Sequence, residues 1–322
     1  MISPRAVALR GHSKITIAAA ADVGSTSVHL LVAAVDGERL EPLADESAFL
    51  GLGEAVEARS HLGSALIERL AGTIAGYAER AVGLGAADVG FLGTDPLRRA
   101  ADAPAAVYAV GQRGATLHVL TQHEEAIVTL IGVTEGRRVG RGMLVVDVGG
   151  GSTELVVATP DGLPTPVGLP LGASRLTGQI VRHDPPTRAE IEELGAAARE
   201  IMAGVADVGR GDLVLVGGTA SNLLRLMPEP ASDRLTGAGL AAAIDVLAGT
   251  AAADVVARYA IRPQRARVLP AGAAIMAALL ERYGATEGRV SSAGVREGAI
   301  RAQVRGGAGW RDALPKLAGG WR

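Results

Sequence analysis

The chain has 322 residues, which is long enough for two domains with substantial hydrophobic cores. Hydrophobic residues make up 48% of it and charged residues 20%, so an intrinsically disordered chain is excluded. The formal net charge of -2 gives no overall basic field, so nucleic acid is not an expected partner. The absence of cysteine excludes disulfides, thiol catalysis and cysteine-based metal sites. An anionic ligand would have to be bound by a local site.

The first residues predict neither an export signal nor a membrane anchor. Residues 1–14 carry basic side chains and are interpreted as a short disordered leader. The apolar run at residues 15–21 is too short to cross a bilayer, and it continues into Asp22 without a cleavage site. We therefore expect a cytoplasmic protein with no membrane partner.

The first half of the chain alternates predicted strands and helices. A β-rich run at 15–21 and a second strand at 28–35 flank a Gly/Ser turn at 22–26, and Asp36-Gly37 forms a hairpin turn before a third strand. Apolar spacing and short buried runs then predict a helix at 64–84, strands at 89–92 and 117–120, and a helix at 124–133.

The second half repeats this alternation. A buried strand at 144–148 is followed by a Gly-rich turn, and Thr187 with Glu190 forms a capping-box pattern at the start of a helix. The remaining predicted elements are the helix itself at 187–205, a strand at 213–216, and helices at 240–260 and 271–283. Strands that alternate with helices in this way indicate the α/β class.

An internal repeat with a constant offset of 125 residues is the most informative feature. The segment Asp22-Val-Gly-Ser-Thr-Ser-Val-His-Leu can be laid over Asp147-Val-Gly-Gly-Gly-Ser-Thr-Glu-Leu, and Asp36-Gly37 falls on Asp161-Gly162. Both copies predict a strand, a tight turn, a second strand and a hairpin. The repeat is too long for a solenoid, so it indicates two related domains with a cleft between them.

The two turns are suited to phosphate. Successive backbone N–H groups and hydroxyls converge there without bulky side chains, although a single turn of this kind is usually an ordinary hairpin. The predicted phosphate-binding residues of the turns are Gly24, Ser25, Thr26, Ser27, Gly149, Gly150, Gly151 and Ser152. The acids that end the leading strands, Asp22 and Asp147, are predicted ligands of Mg²⁺. Glu154, which replaces His29 in the second copy, is a third predicted ligand, with a solvated strand residue as the alternative.

Several segments in a fixed order give the chain a recognisable resemblance. They lie at residues 22–27, 92–98, 146–154, 172–177, 184–186, 216–220 and 291–298. Together they resemble the Ppx/GppA group, exopolyphosphatases and guanosine pentaphosphate phosphohydrolases within the actin-like ATPase superfamily, from about residue 15 to residue 303. The resemblance implies two actin-like (ribonuclease H-like) domains with an interdomain cleft, spanning 1–123 plus 290–322 and 124–289.

The resemblance also assigns roles. The family's general base is a Glu in a Ser-Gly-x-Glu-Glu-Ala segment, here Thr121-Gln-His-Glu-Glu-Ala126, and this alignment makes Glu125 the base and Glu124 its neighbour. The residues alone leave open that both are solvated acids in a first helical turn. Arg98 is the cationic candidate for phosphate binding because a guanidinium can donate two parallel hydrogen bonds, with a solvated loop arginine as the alternative.

The implied reaction is Mg²⁺-dependent hydrolysis of the terminal phosphoanhydride of inorganic polyphosphate. The alternatives are hydrolysis of guanosine pentaphosphate (pppGpp), an ATP-dependent kinase or motor ATPase, and a polyphosphate- or alarmone-binding regulator with weak catalysis. Four departures from the family pattern bear on substrate preference and rate: Gly51, Asp102, Gln122 and Arg267. A homodimer is compatible with the family, although no stretch of this sequence identifies an interface.

Overall fold

The computed structural model describes residues 15–205, 211–227 and 233–319, so the predicted leader lies outside the described residues. Within those ranges the strands form two sheets. The first sheet contains β1 (Thr16–Val23), β2 (Ser27–Asp36), β3 (Arg39–Phe49), β4 (Val89–Gly93) and β5 (Leu117–Val119). Its order is β3-β2-β1-β4-β5; β1 to β3 form antiparallel hairpins, β4 lies parallel to β1, and β5 lies parallel to β4.

The second sheet follows the same plan with one added strand. It contains β6 (Met143–Val148), β7 (Thr153–Ala158), β8 (Thr165–Leu169), β9 (Asp212–Val216), β10 (Arg234–Thr236) and β11 (Glu287–Val290). Its order is β10-β11-β9-β6-β7-β8, with antiparallel hairpins from β6 to β8 and with β9 parallel to β6. β11 lies parallel to β9, and β10 pairs with it antiparallel at the edge.

The sequence repeat corresponds to a repeat of strand register. Asp22 on β1 pairs with His29 on β2, and Asp147 on β6 pairs with Glu154 on β7. Each acid therefore occupies the same place in its hairpin, next to the turn. The predicted α/β class with two related halves is confirmed by these sheets.

The helices of the first half are α1 (Leu52–Arg59), α2 (Ser64–Gly83), α3 (Asp95–Arg99), α4 (Ala103–Gly111) and α5 (Gln122–Val133). The apolar spacing that predicted α2 is the face that the helix buries, with Leu66, Leu70, Ile74 and Tyr77 turned into the core. α5 begins at the predicted junction, where Thr121 and Glu124 form a capping box.

The helices of the second half are α6 (Ala173–Ile180), α7 (Arg188–Ala203), α8 (Gly217–Leu223), α9 (Gly237–Gly249), α10 (Ala252–Tyr259), α11 (Pro263–Ala266), α12 (Leu269–Arg282), α13 (Val295–Gly306) and α14 (Leu314–Ala318). The capping box of Thr187 and Glu190 at the start of α7 is confirmed. In the parts of the chain that the structure describes, no helix has both the length and the apolar character needed to cross a membrane.

The single helix predicted at 240–260 is wrong, because two helices occupy this stretch. Thr250 adopts an extended backbone, with φ -134° and ψ 123°, and separates α9 from α10. The Asp184 carboxylate accepts the backbone N–H of Ala252 at 2.8 Å, which satisfies a donor at the start of α10. A distant side chain therefore stabilises the break.

A pair of packed helices connects the two sheets. α13 packs on β1, α5 packs on β7 and β8, and the two helices pack against each other. The helices approach closely, since a Cβ at Gly298 of α13 would lie 1.8 Å from the Val128 carbonyl oxygen of α5. Buried residues of both sheets and both helices form one cluster, which includes Ala20, Leu31, Ile131, Val145, Val156 and Ile300. α5 is thus held between the sheets, and the predicted domain bounds stay a prediction.

Candidate active site

A cavity of about 360 Å³ lies where the two repeated turns meet. All eight predicted turn residues line it: Gly24, Ser25, Thr26, Ser27, Gly149, Gly150, Gly151 and Ser152. Each turn is closed by the same hydrogen bond, from Gly24 N–H to the Ser27 carbonyl at 3.1 Å and from Gly149 N–H to the Ser152 carbonyl at 2.9 Å. The turns also face each other closely, because a Cβ at Gly150 would lie 2.8 Å from the Ser25 Cβ.

Two half-buried carboxylates, Asp22 and Asp147, line the same cavity. Burial, together with the charge of Asp147, raises the pKa of Asp22 from 3.8 to about 7, although three arginines oppose the shift. Burial and the charge of Glu125 raise the pKa of Asp147 to about 7 as well. Asp22 Oδ1 is buried without a hydrogen-bond partner. The positive charge of nearby arginines is therefore outweighed at Asp22 by burial and by the charge of Asp147.

Glu125 lies in the first turn of α5, with 7% of its surface exposed, and lines the cavity. Burial raises its pKa to about 7 although Arg98, which donates Nη1–H to Glu125 Oε2 at 2.5 Å, opposes the shift. The neighbouring Glu124 behaves differently: burial raises its pKa, but hydrogen bonds from Arg311 and Thr121 lower it overall to about 2. Of the two adjacent acids, Glu125 is the one that lines the cavity, and its pKa is near 7.

Arg98 and Glu154 are brought together beside the second turn. Arg98 Nη2 donates to Ser152 Oγ at 3.1 Å and to Glu154 Oε1 at 3.3 Å, and Arg98 Nη1 also donates to the Leu120 carbonyl at 3.1 Å. Glu154 is 2% exposed, and burial and the charge of Glu125 raise its pKa. Arg98 thereby connects α3, α5 and the second turn. Phosphate binding by Arg98 and metal binding by Glu154 stay predictions.

In the described part of the chain, no three His, Asp or Glu side chains are already clustered around a point that could hold a metal ion. Asp22 and Asp147 nevertheless fit a divalent cation, because they are carboxylates whose charges repel each other and because Asp22 Oδ1 is buried without a hydrogen-bond partner. Mg²⁺ usually keeps several waters and substrate oxygens as ligands, so two carboxylates can suffice. Glu154 is instead paired with Arg98.

The residues that line the cavity but were not predicted as site residues include Asp95, Arg265 and Arg296. Asp95 accepts from Arg175 at 3.1 Å and from Arg99 at 3.3 Å, which connects α3 to α6 next to the second turn. Arg265 donates to Ser27 Oγ at 3.5 Å, and Arg296 pairs with Asp45. Asp95 and Arg296 lie inside motif segments and could have been found there, whereas no sequence signal marks Arg265.

Two of the four departures from the family pattern, Gln122 and Asp102, have hydrogen-bond partners in the structure. Gln122 donates to Glu154 at 3.4 Å and to the Leu169 carbonyl at 3.5 Å. Asp102 accepts the backbone N–H groups of Leu62 and Gly63, each at 2.8 Å, so it orders the start of α2. Gln122 therefore lies in the polar network of the site, whereas Asp102 has a supporting role.

The paired sheets, with facing turns at the ends of their first strands, define a two-domain actin-like α/β protein. The family model described as the Ppx/GppA phosphatase family matches residues 31–305. The chain therefore belongs to the Ppx/GppA phosphatase family, as the motifs predicted, and it is an enzyme of the phosphoanhydride hydrolase class.

Relatives and solved structures agree with this assignment. A Mycobacterium leprae (strain TN) protein named exopolyphosphatase 1 is 30% identical over 295 residues, covering 87% of this chain and 87% of its own length. Exopolyphosphatase 2 of Mycobacterium tuberculosis (strain CDC 1551 / Oshkosh) is 28% identical over 316 residues, covering 88% of this chain and 97% of its own. The crystal structure of the Aquifex aeolicus Ppx/GppA family member has a TM-score of 0.77 at 25% identity, covering 92% of this chain and 99% of its own.

Proposed function

We propose that this chain is an exopolyphosphatase that releases the terminal phosphate of inorganic polyphosphate in a Mg²⁺-dependent reaction with Glu125 as general base. The observation that carries the proposal is the placement of a buried Glu125 at the cavity into which both phosphate-type turns open. The relatives named exopolyphosphatase support the choice of substrate.

Glu125 has the properties that a general base needs. A pKa near 7 allows a carboxylate to accept a proton at neutral pH and to release it again afterwards. Arg98 holds Oε2 in place, so Oε1 is the oxygen that would accept the proton of an attacking water. The backbone and hydroxyl groups of the two turns would bind the terminal phosphates and stabilise negative charge as the anhydride bond breaks.

Asp22 and Asp147 would hold the metal ion. When bound, Mg²⁺ supplies positive charge to the phosphate oxygens, as in other phosphoryl-transfer sites. Arg265 and Arg296 add fixed positive charge at the same cavity, and the Arg265 guanidinium lies close to Ser27 of the first turn.

Inorganic polyphosphate is favoured over pppGpp by the chemistry of the cavity wall. Among the described residues that line the cavity, there is no Phe, Tyr or Trp, and the apolar side chains are the valines Val148, Val216 and Val295. Proteins that recognise unpaired RNA bases commonly stack them on Phe, Tyr, Trp or His, and His29 is the one such ring among the described lining residues. A wall of glycine, hydroxyl and charged groups is matched to a chain of phosphates.

Phosphate release from long-chain polyphosphate, pppGpp and ATP, measured in parallel with Mg²⁺, tests the proposal. We expect the fastest release from polyphosphate. A preference for pppGpp would indicate a guanosine pentaphosphate phosphohydrolase, and a preference for ATP would support a kinase or motor ATPase. Tight polyphosphate binding without release from any substrate would support the regulator.

A pH-dependent stabilisation by Mg²⁺ is expected from Asp22 and Asp147. Their folded-state pKa values are raised, so without metal the protein loses stability as pH rises from about 4 through about 7, when both acids ionise in a buried place. Mg²⁺ should therefore raise the melting temperature strongly at about pH 8 and weakly at about pH 5.

Differential scanning fluorimetry with Mg²⁺ or EDTA at constant ionic strength measures this difference. The double variant Asp22→Asn/Asp147→Asn is the control and should show no shift at either pH. An equal Mg²⁺ shift at both pH values, or a shift that survives in the double variant, would contradict this metal site.

A further inference from the structure

The segment that follows α13 packs onto the edge of the first sheet. It lies beyond residue 305, where the match to the family model ends. Trp310, Leu314 and Leu317 are buried in the cluster that also contains α5, and the Trp310 ring meets the His118 ring of β5 edge to face at 5.9 Å. The segment is therefore fixed next to the start of α5.

Arg311 of this segment forms a bidentate ion pair with Glu124. Its Nε donates to Glu124 Oε1, and its Nη2 donates to Glu124 Oε2 at 2.7 Å and to the Val119 carbonyl at 2.8 Å. The same Glu124 Oε2 accepts the backbone N–H of Thr121 at 2.7 Å and the Thr121 hydroxyl at 2.9 Å. Arg311 thus ties the end of β5 to the capping box of α5.

This network ends one residue from Glu125. Arg98 holds the Glu125 carboxylate and the Leu120 carbonyl from the cavity side, whereas Arg311 holds Glu124 and the Val119 carbonyl from the other side. The first turn of α5 is therefore contacted by two arginines, Arg98 at Glu125 and Arg311 at Glu124.

We infer that Arg311 is a positioning residue for the reaction, which holds the first turn of α5 through Glu124 so that Glu125 is oriented toward the attacking water. This inference rests on the proposed role of Glu125 as the base. A displacement of about 1 Å at a catalytic group can reduce the rate up to about a hundredfold, so loss of one of the two supports has a measurable effect.

A purely structural role for Arg311 makes a different prediction. The Arg311 and Glu124 side chains are 37% and 24% exposed, and an ion pair at such a site contributes about 1 kcal/mol or less to stability. If Arg311 had only a structural role, its replacement would lower the melting temperature slightly and leave kcat unchanged. If Arg311 positions Glu125, its replacement lowers kcat, whereas KM stays the same because the two turns determine it.

Kinetics with long-chain polyphosphate and Mg²⁺ test the inference. Arg311→Ala should lower kcat about tenfold with KM within about twofold of the unchanged protein, and Arg311→Lys should recover part of the loss. Glu124→Gln keeps the capping acceptor but loses the ion pair, so it should lower kcat similarly, and the double variant should be no worse than either single one. Lys316→Ala, an exposed charge on the same segment, is the matched control.

The inference is overturned if Arg311→Ala keeps kcat within about twofold, if the loss falls on KM, or if the effects of Arg311→Ala and Glu124→Gln simply multiply. Glu125→Gln, measured alongside, distinguishes a failure of the role of Arg311 from a failure of the proposed base. An inactive Glu125→Gln with a fully active Arg311→Ala rejects only the role of Arg311, whereas an active Glu125→Gln rejects the proposed base itself.

Discussion

Replacement of Glu125 by glutamine is expected to lower kcat for polyphosphate hydrolysis by about a thousandfold, within the range usual for loss of a general base. Glutamine has nearly the shape of glutamate and its carbonyl oxygen can still accept the hydrogen bond from Arg98. It cannot accept a proton from water at neutral pH. KM should change little, because the two turns that bind phosphate are untouched.

The measurement is steady-state phosphate release with a melting curve for each variant. Glu125→Gln should fold at least as stably as the unchanged protein, because an amide carries no charge to bury, whereas Glu125 ionises at a buried position. Glu193→Gln makes the same change at an exposed position of α7 and should have no effect on kcat. A folded Glu125→Gln variant that hydrolyses polyphosphate at the native rate would refute the base.

Local chemistry explains why much of the fold could be predicted from the sequence. The turns at Gly24 and Gly149 and the helix start at Thr187 are each determined by a few adjacent residues, so their positions were predicted correctly. The repeat allowed a longer-range prediction, since equivalent hairpins placed Asp22 and Asp147 at equivalent sites. The break at Thr250 was missed because the carboxylate that caps the second helix belongs to Asp184, in a distant segment.

In the candidate site, too, features that depend on distant contacts could not be predicted from the local sequence. The resemblance could separate Glu125 from Glu124, but the residues around them could not. Their pKa values differ because burial raises that of Glu125, whereas Arg311, which lies 187 positions after Glu124, lowers that of Glu124. Arg265 reaches Ser27 across 238 positions. Such contacts depend on how the two halves pack, which no local pattern encodes.

Replacement of Gly298 by alanine is expected to have the largest effect on stability, a loss of about 3 kcal/mol in the free energy of unfolding. The new Cβ would lie 1.8 Å from the Val128 carbonyl oxygen and 2.9 Å from the Gly132 amide nitrogen, whereas real Cβ contacts do not fall below 3.0 Å. Both neighbours are backbone atoms of α5, so no side chain can rotate away. The helices α5 and α13 must separate instead.

Separation of these helices would loosen the cluster between the two sheets and displace Glu125, so activity should fall together with stability. Chemical denaturation measures the first effect and phosphate release the second. Gly76→Ala is the matched control, because Gly76 is exposed on α2 with no atom within 4 Å of the added Cβ. There alanine should stabilise the helix by up to about 1 kcal/mol. A Gly298→Ala protein as stable as the unchanged chain would show that α13 does not pack on α5 this closely.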